Sequence, residues 1–503
     1  MSNKTRSEKT TDLNSKLSLA ERFRNAQTHQ WLWFSVWLIL TVAFSIWATN
    51  LWLFLLIFLF LDIYITKYVP WSFWKKSKNQ AFKKTMEWVD AILFALVAVY
   101  FINTFFFQNY QIPTSSLEKS LLVGDFLAVS KMSYGPRAPM TPLSFPLAQH
   151  TMPLIGGKSY IEKPQWKYKR LKGFGNVKRN DIVVFNFPTQ DTVALNMQGV
   201  DFYTLSKYNS NGSAGIRADK RTYGDVVYRP VDRRENYVKR CIGLPGETIE
   251  LRNDNVYIDG NHIPNPELSQ LSYTIHTDGT AISENVFREL GVSKDDYYGQ
   301  NGYGQMNIKM QDLANVDSLT LATAGLSPRN GNNGRVYFSI PLTRKMVEDL
   351  KQKPFVWDII KDVEHPGSSY YYPIDYNSNW TRADYGPLWI PKKGETIRFD
   401  SDVDFKVDAY KRCIKNYEGN DFEYHNGTVY INGQPAESYT FTMDYYFMMG
   451  DNRHNSADSR SWGFVPEDHI VGSPMLIWLS LDKDKGWFNG KIRFKRLFTS
   501  AKK

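Results

Sequence analysis

Two cysteines in 503 residues, Cys241 and Cys413, are too few for a disulfide scaffold or a multi-cysteine zinc site. They either pair, if that part of the chain lies outside the cytoplasm, or serve as two small buried apolar residues. Histidine is scarce as well, with 8 in the chain. No G-x-S-x-G elbow, H-E-x-x-H pair, P-loop or C-x-x-C occurs, so hydrolase-elbow, zincin, nucleotide-binding and dithiol chemistry have no local support. Long apolar runs are nearly all confined to the residues before 108. Residues 1–30 lack the short apolar core and cleavage site of a removable signal peptide, so the chain is expected to remain anchored.

What is present is unevenly distributed. A mean hydropathy of −0.41 averages over an apolar N-terminal fifth and a polar remainder rich in Tyr, Gly, Asn and Asp. Trp31–Tyr64 is apolar over about thirty residues, too long for one ~20-residue span. Ala48-Thr49-Asn50 offers a turn near its middle, which predicts a helical hairpin of roughly Trp31–Trp47 and Leu51–Ile65. A third span is expected over about Trp88–Phe107. The net charge of +10 does not point to nucleic acid, because of where it sits. Lys4, Arg6, Lys9, Lys16, Arg22 and Arg24 precede the hairpin; Lys67, Lys75, Lys76, Lys78, Lys83 and Lys84 follow it. Basic flanks of apolar helices are expected to stay cytoplasmic, so everything after Phe107 is expected on the opposite face. Asp62 and Asp90 raise an intramembrane aspartyl protease as an alternative. Neither lies in a G-x-G-D, and each sits within about a turn of the expected cytoplasmic boundary, where a carboxylate reaches headgroup water.

After Gln108 the signals are those of short strands. Phe126–Ser130, Asp181–Phe187, Tyr237–Ile242, Thr248–Leu251, Val256–Ile258 and Thr428–Ile431 are β-branched and aromatic, with Asp259-Gly260 and Asn432-Gly433 as turns. Pro341–Lys353 reads as a short helix. The expected fold is a mainly β soluble domain of antiparallel sheets on N-terminal transmembrane α-helices, with a large irregular insertion. The expected divisions are a cytoplasmic arm (1–30), the hairpin (31–66), a basic loop (67–87), a third helix (88–107), a β domain in two parts (108–261 and 401–485) split by the insertion (262–400), and a basic aromatic tail (486–503). That tail, with Trp487, Phe488, Phe494 and Phe498 among lysines and arginines, suits either anionic lipid or plain solvent. An internal echo joins Tyr237–Ile242 and Val256–Gly260 to Tyr410–Ile414 and Val429–Gly433, as a duplicated strand-hairpin or a coincidence.

Four ordered segments carry the chemistry: Gln111–Leu117 running on to Leu122–Phe126, Arg179–Phe185, Tyr237–Glu247, and Met449–Arg460 running on to Trp462–Pro466. Together, after a membrane anchor, they resemble the conserved boxes of bacterial signal peptidase I, over about a fifth of the chain. The resemblance implies a serine endopeptidase that removes signal peptides from secreted preproteins, cutting after small residues, without metal or cofactor. It makes Ser116 the nucleophile, Lys239 the general base, and Thr114 a hydroxyl assisting the oxyanion hole. Ser456 would orient the lysine; Arg240, Asp451, Asp458 and Arg460 would brace the site through ion pairs. Leu117 and Lys119 stand where the family usually has Met and Pro, and His454 where it often has Asp.

Elementary chemistry agrees. Ser116 lies nine positions after Phe107, at most roughly 30 Å from the expected membrane boundary at ~3.3 Å per residue. A base must be neutral to take a proton, so lysine's ordinary pKa of about 10.4 has to fall by burial, which Val238 and Ile242 beside Lys239 would supply. The expected partners are preprotein signal peptides and the bilayer, with no nucleic acid. Two rivals remain at this stage: a Ser–Lys peptidase dedicated to one client such as a pilin, and a catalytically silent relative that binds preproteins or assembles with the secretion machinery.

Overall fold

The computed structural model describes residues 18–153, 156–278, 280–298, 308–309, 335–367, 369, 371–376 and 379–502. Four of the N-terminal basic residues (Lys4, Arg6, Lys9, Lys16) and a large part of the expected insertion lie outside them. Two compact units meet in sequence between Asn103 and Thr104.

In the first unit, Ser18 opens the helix Leu19–Asn25: its hydroxyl accepts from the Glu21 backbone, and its own N–H donates to the Glu21 carboxylate at 2.8 Å. The apolar helix Thr28–Ala48 follows and ends at Thr49, whose φ of 46° is left-handed. Asn50 accepts from the Trp52 N–H and starts the return arm Leu51–Thr66. The two arms pack side by side. Trp37 stacks on Phe60 at 4.7 Å, and its indole N–H donates to the Tyr64 hydroxyl. Arg22 donates to the Thr66 carbonyl at the base of the hairpin. Asp62 ends the return arm as a cap, accepting from Thr66, from the Tyr68 and Val69 backbones and from the Trp71 indole. Thr28–Ala48 and Gln80–Phe105 are each long and apolar enough to cross a membrane, by length and composition. The latter begins eight residues before Trp88, because Gln80–Glu87 continues the helical turn with good helix formers.

The second unit is mainly β, as the strand signals implied. Its main sheet runs, in spatial order, Phe107–Gln111, Asp125–Ser130, Ile470–Ser480, Ile182–Asn186, Asn236–Gly243, Tyr445–Met449 and Val465–Pro466, with Thr499–Ser500 added to Ile470–Ser480. Every pairing is antiparallel. Side chains alternate faces along a strand, and the apolar run Ile182–Phe185 is therefore buried on both. Ile182 and Val184 enter a core with Leu117, Leu127, Val129 and Ile477; Val183 and Phe185 enter another with Cys241, Met448, Trp462 and Val465. The central strands are thus fixed from two sides, and the Asn236–Gly243 strand is paired against them.

The expected insertion carries regular structure in its described residues. Gln270–Thr277, Arg335–Thr343, Val356–Lys361 and Ile308–Lys309 form a four-stranded antiparallel sheet with its own core around Ile275, Phe287, Tyr337 and Leu350. It looks irregular in sequence because bulges break the alternation near Tyr273 and His276. The helix expected over Pro341–Lys353 starts later, at Arg344. Thr343 is its N-cap, accepting from the Met346 N–H, while Pro341 still lies in the strand opposite Ser272. The echo divides in two. Val256–Ile258 and Thr428–Ile431 are both middle strands of three-stranded meanders, whereas Lys239 is on a strand and Lys411 on the helix Val403–Arg412. Cys241 and Cys413 are both buried and free.

Candidate active site

Ser116 sits in a single 3₁₀ turn, Ser115–Leu117, anchored by Leu117, which is 1 % exposed in the core beneath the sheet. Lys239 comes from the Asn236–Gly243 strand, opposite Val183. Although 123 positions apart, the two meet: Lys239 Nζ stands 2.5 Å from Ser116 Oγ, and both residues are buried. Burial pushes the Lys239 amine down to about 8, against the opposing pull of Asp458 and Asp451. The Tyr237 ring lies 5.7 Å from Nζ.

Two buried ion pairs flank this contact. Arg240 grips Asp451 with a fork, Nε to Oδ1 and Nη2 to Oδ2, both at 2.7 Å. Ser120 donates to the same carboxylate at 2.6 Å, and Arg240 also donates to the Asn180 carbonyl. Arg460 holds Asp458 through Nε at 2.9 Å and Nη2 at 2.8 Å, and Asp458 accepts from the Gly450 N–H. Burial alone would raise the Asp458 carboxyl, but Arg460 outweighs it and keeps the carboxyl below its ordinary range. Arg460 also donates to the carbonyls of Arg382 and Arg453. The loop between the two aspartates is tied to Ser116 itself, since Asn452 N–H donates to the Ser116 carbonyl at 3.1 Å.

Gly450 explains how close the loop comes. A Cβ there would lie 2.3 Å from Ser456 Oγ and 2.7 Å from the Ser116 carbonyl oxygen, so only glycine fits. Ser456 Oγ is buried in this corner and has no hydrogen-bond partner among the described residues. Thr114 immediately precedes the Ser116 turn; it is exposed and its side chain does not cap that turn. Ser116, Lys239, Arg240, Asp451, Asp458 and Arg460 therefore converge, Ser456 lies beside them, and Thr114 faces solvent at the edge.

Other residues take part as well. Ser120 and Asn180 contribute through Arg240, and a serine and an asparagine in loops read as turn residues. Glu118, two positions after Ser116, is buried, and that burial pushes its carboxyl up to about 7. Lys119 has a left-handed φ of 76° and donates to the Gly291 carbonyl in the inserted module.

Comparison with known proteins gives one consistent picture. The family described as signal peptidase, peptidase S26, matches residues 85–302 and 438–479, about half of the chain. A signal peptidase I of Buchnera aphidicola subsp. Acyrthosiphon pisum is 24% identical over 425 residues, covering 84% of this chain and 83% of its own length. One from Haemophilus influenzae is 23% identical over 434 residues, covering 85% and 79%. A signal peptidase I P of Bacillus subtilis subsp. natto is 23% identical over 245 residues, 46% of this chain and 87% of the relative. All eight candidate residues fall inside the two matched stretches.

Proposed function

This chain belongs to the signal peptidase family, peptidase S26, and from that premise we propose that it cleaves preprotein signal peptides through an acyl-enzyme on Ser116, with Lys239 as the base. The protein is a serine peptidase; the assignment of roles is our reading of the site. The observation that carries it is the buried amine of Lys239 at hydrogen-bond distance from Ser116 Oγ. An ammonium cannot accept a proton, and burial favours the neutral amine that can.

In the proposed sequence, Ser116 Oγ attacks the scissile carbonyl carbon while its proton passes to Lys239 Nζ. The tetrahedral oxyanion is met by the Thr114 hydroxyl at the rim. Its collapse breaks the C–N bond, and the Lys239 ammonium returns the proton to the leaving amine. Water then attacks the ester with the same lysine as base, which frees the signal peptide and restores Ser116. Ser456, beside Gly450 and without a hydrogen-bond partner for its Oγ among the described residues, is suited to receive the amine when it leaves the serine. Asp451 with Arg240 and Asp458 with Arg460 hold the loop, and their net neutrality avoids placing a lone charge beside the amine.

The same reading makes the chain a multi-pass protein of the bacterial cytoplasmic membrane, with the arm before the hairpin and the basic loop inside and the β unit outside. The bilayer would then be a partner in substrate presentation. Trp487, Phe488, Phe494 and Phe498 are exposed among basic residues, a composition suited to an anionic lipid interface.

Incubating the purified protein with a preprotein and mapping the cut by mass spectrometry tests the proposal. Cleavage is expected after a small residue at the end of the signal peptide, and Ser116→Ala is expected to abolish it while the fold is kept. A Ser116→Ala protein that processes preprotein near the wild-type rate removes Ser116 from the mechanism. Cleavage of one client among several unrelated preproteins would make the enzyme a dedicated one.

A further inference from the structure

The side chain of His454 is completely buried in the loop that carries Asp451, Ser456 and Asp458, and both its ring nitrogens are engaged. The Ser272 backbone N–H donates to Nδ1 at 3.2 Å, and Nε2 lies 2.8 Å from Asp254 Oδ1. A backbone N–H can only donate, so Nδ1 must carry a lone pair. A carboxylate can only accept, so Nε2 must carry the hydrogen. The surroundings thus select one neutral tautomer.

The partners come from separate parts of the chain. Ser272 is on the first strand of the inserted sheet, Gln270–Thr277. Asp254 is in the turn between Thr248–Arg252 and Asn255–Ile258, and its other oxygen takes Lys361 of the inserted sheet at 2.8 Å. Two residues before Ser272, the same strand runs beside the catalytic loop. Gln270 N–H donates to the Asp451 carbonyl at 2.8 Å and its carbonyl accepts from Arg453 N–H at 2.9 Å, which brackets Asn452. Asn452 in turn holds the Ser116 carbonyl. The inserted sheet is therefore continuous, by hydrogen bonds, with the backbone of the nucleophile.

We propose that His454 is a positioning residue: as the Nε2–H tautomer it latches the inserted sheet, through Ser272, to the loop that sets Ser116 against Lys239. The charged groups that act on the ring are Asp254, Arg382 and Arg460, with Lys361 bonded to Asp254. Burial keeps His454 reluctant to take a second proton, although Asp254 pulls the other way. Protonation at Nδ1 would remove the acceptor of Ser272 and open the latch. The inserted sheet is on this account part of the catalytic scaffold.

The inference rests on Ser116 and Lys239 being the reacting pair, and its test has a readout that does not depend on that. Nitrogen-15 solid-state NMR of the histidine-labelled full chain in lipid, with the His454→Asn spectrum subtracted, reports the tautomer directly. A neutral ring with unprotonated Nδ1, unchanged from about pH 8 to about pH 6 where exposed histidines charge, is expected. Kinetics with a preprotein substrate supply the second arm. His454→Ala is expected to lower kcat by about tenfold to a hundredfold with KM little changed, since it shifts the reacting groups and leaves the substrate cleft in place. His454→Asn, whose Oδ1 can accept from Ser272, is expected to recover most of kcat. His454→Gln, which reaches Asp254 but offers Ser272 no acceptor at the Nδ1 position, is not. If His454→Ala does not fold, the Asn and Gln variants decide between them. Equal rescue by Gln and Asn, an unaffected kcat in His454→Ala, or a protonated Nδ1 in the spectrum would overturn the latch. An active Ser116→Ala enzyme would overturn the underlying reading instead.

Discussion

At the scale of single residues, the useful property of Lys239 is that it can be neutral at an accessible pH. On the proposed mechanism the Lys239 amine, pushed down to about 8 by burial, must lose its proton before Ser116 can attack. Below that value the neutral fraction falls about tenfold per pH unit, and above it the fraction saturates. The pH profile of kcat/KM is therefore expected to rise with unit slope to about pH 8 and then level; a profile flat between about pH 6 and about pH 9 would contradict a titrating lysine base. The echo provides an internal control. Lys411 is half-exposed on a helix and paired with Asp375 at 2.8 Å. Lys239→Ala is expected to remove nearly all cleavage and Lys411→Ala to leave it near wild type, and the reverse pattern would mean that the bases are exchanged. Gly450 makes the same point by steric means. Its missing Cβ lets Ser456 and the Ser116 carbonyl close on the loop, so Gly450→Ala is expected to cost at least about tenfold in kcat while the protein stays folded. An unimpaired Gly450→Ala enzyme would show that the loop has slack.

At the scale of elements, the buried Arg240–Asp451 fork joins the Lys239 strand to the loop after Tyr445–Met449. Breaking one side of such a pair leaves a charge stranded out of water, at a cost of about 3–5 kcal/mol. Arg240→Met is therefore expected to lower the stability of the β unit by about that amount, whereas Arg240→Met with Asp451→Leu should recover part of it. Thermal unfolding in detergent distinguishes these, and a single variant as stable as the wild type would show that water reaches the carboxylate. How much of this was legible in the sequence follows from how local each signal is. The strand of Lys239 and the apolar run Ile182–Phe185 could be read because alternation and β-branching are properties of neighbouring residues. Gly450–Arg460 could be recognised because its residues lie close together in the chain. The inserted sheet could not, since its bulges break the period and its strands lie far apart. Asp254, Gln270 and Lys361 gave no sign of their part at the site, because each acts across the fold on a residue of another segment. Lys411 is the opposite case, which the sequence left open: a local sequence nearly identical to that of Lys239 folds as helix where its neighbours Val407, Ala409 and Tyr410 are buried in an apolar core.

At the scale of the whole molecule, the proposal requires that the nucleophile and the basic loop lie on opposite sides of a bilayer. The basic flanks of the hairpin predict the loop around Lys78 to be cytoplasmic, and one further apolar helix, Gln80–Phe105, separates that loop from the β unit. Cysteine labelling can read this directly, because the native Cys241 and Cys413 are both buried and should stay silent toward a membrane-impermeant maleimide. Lys78 and Asn211 are both exposed, so Lys78→Cys and Asn211→Cys are suitable reporters. Asn211→Cys is expected to react in intact spheroplasts, and Lys78→Cys only after the membrane is opened. The experiment bears on chemistry as well as topology. A signal peptide held in the bilayer exposes its cleavage site on the outer face, and Ser116, which follows the last helix closely in sequence, must be on that face to meet it. Labelling of both positions from the same side would therefore break the three-helix topology and remove the geometric basis for a bilayer-held substrate, even with the contact between Ser116 and Lys239 intact.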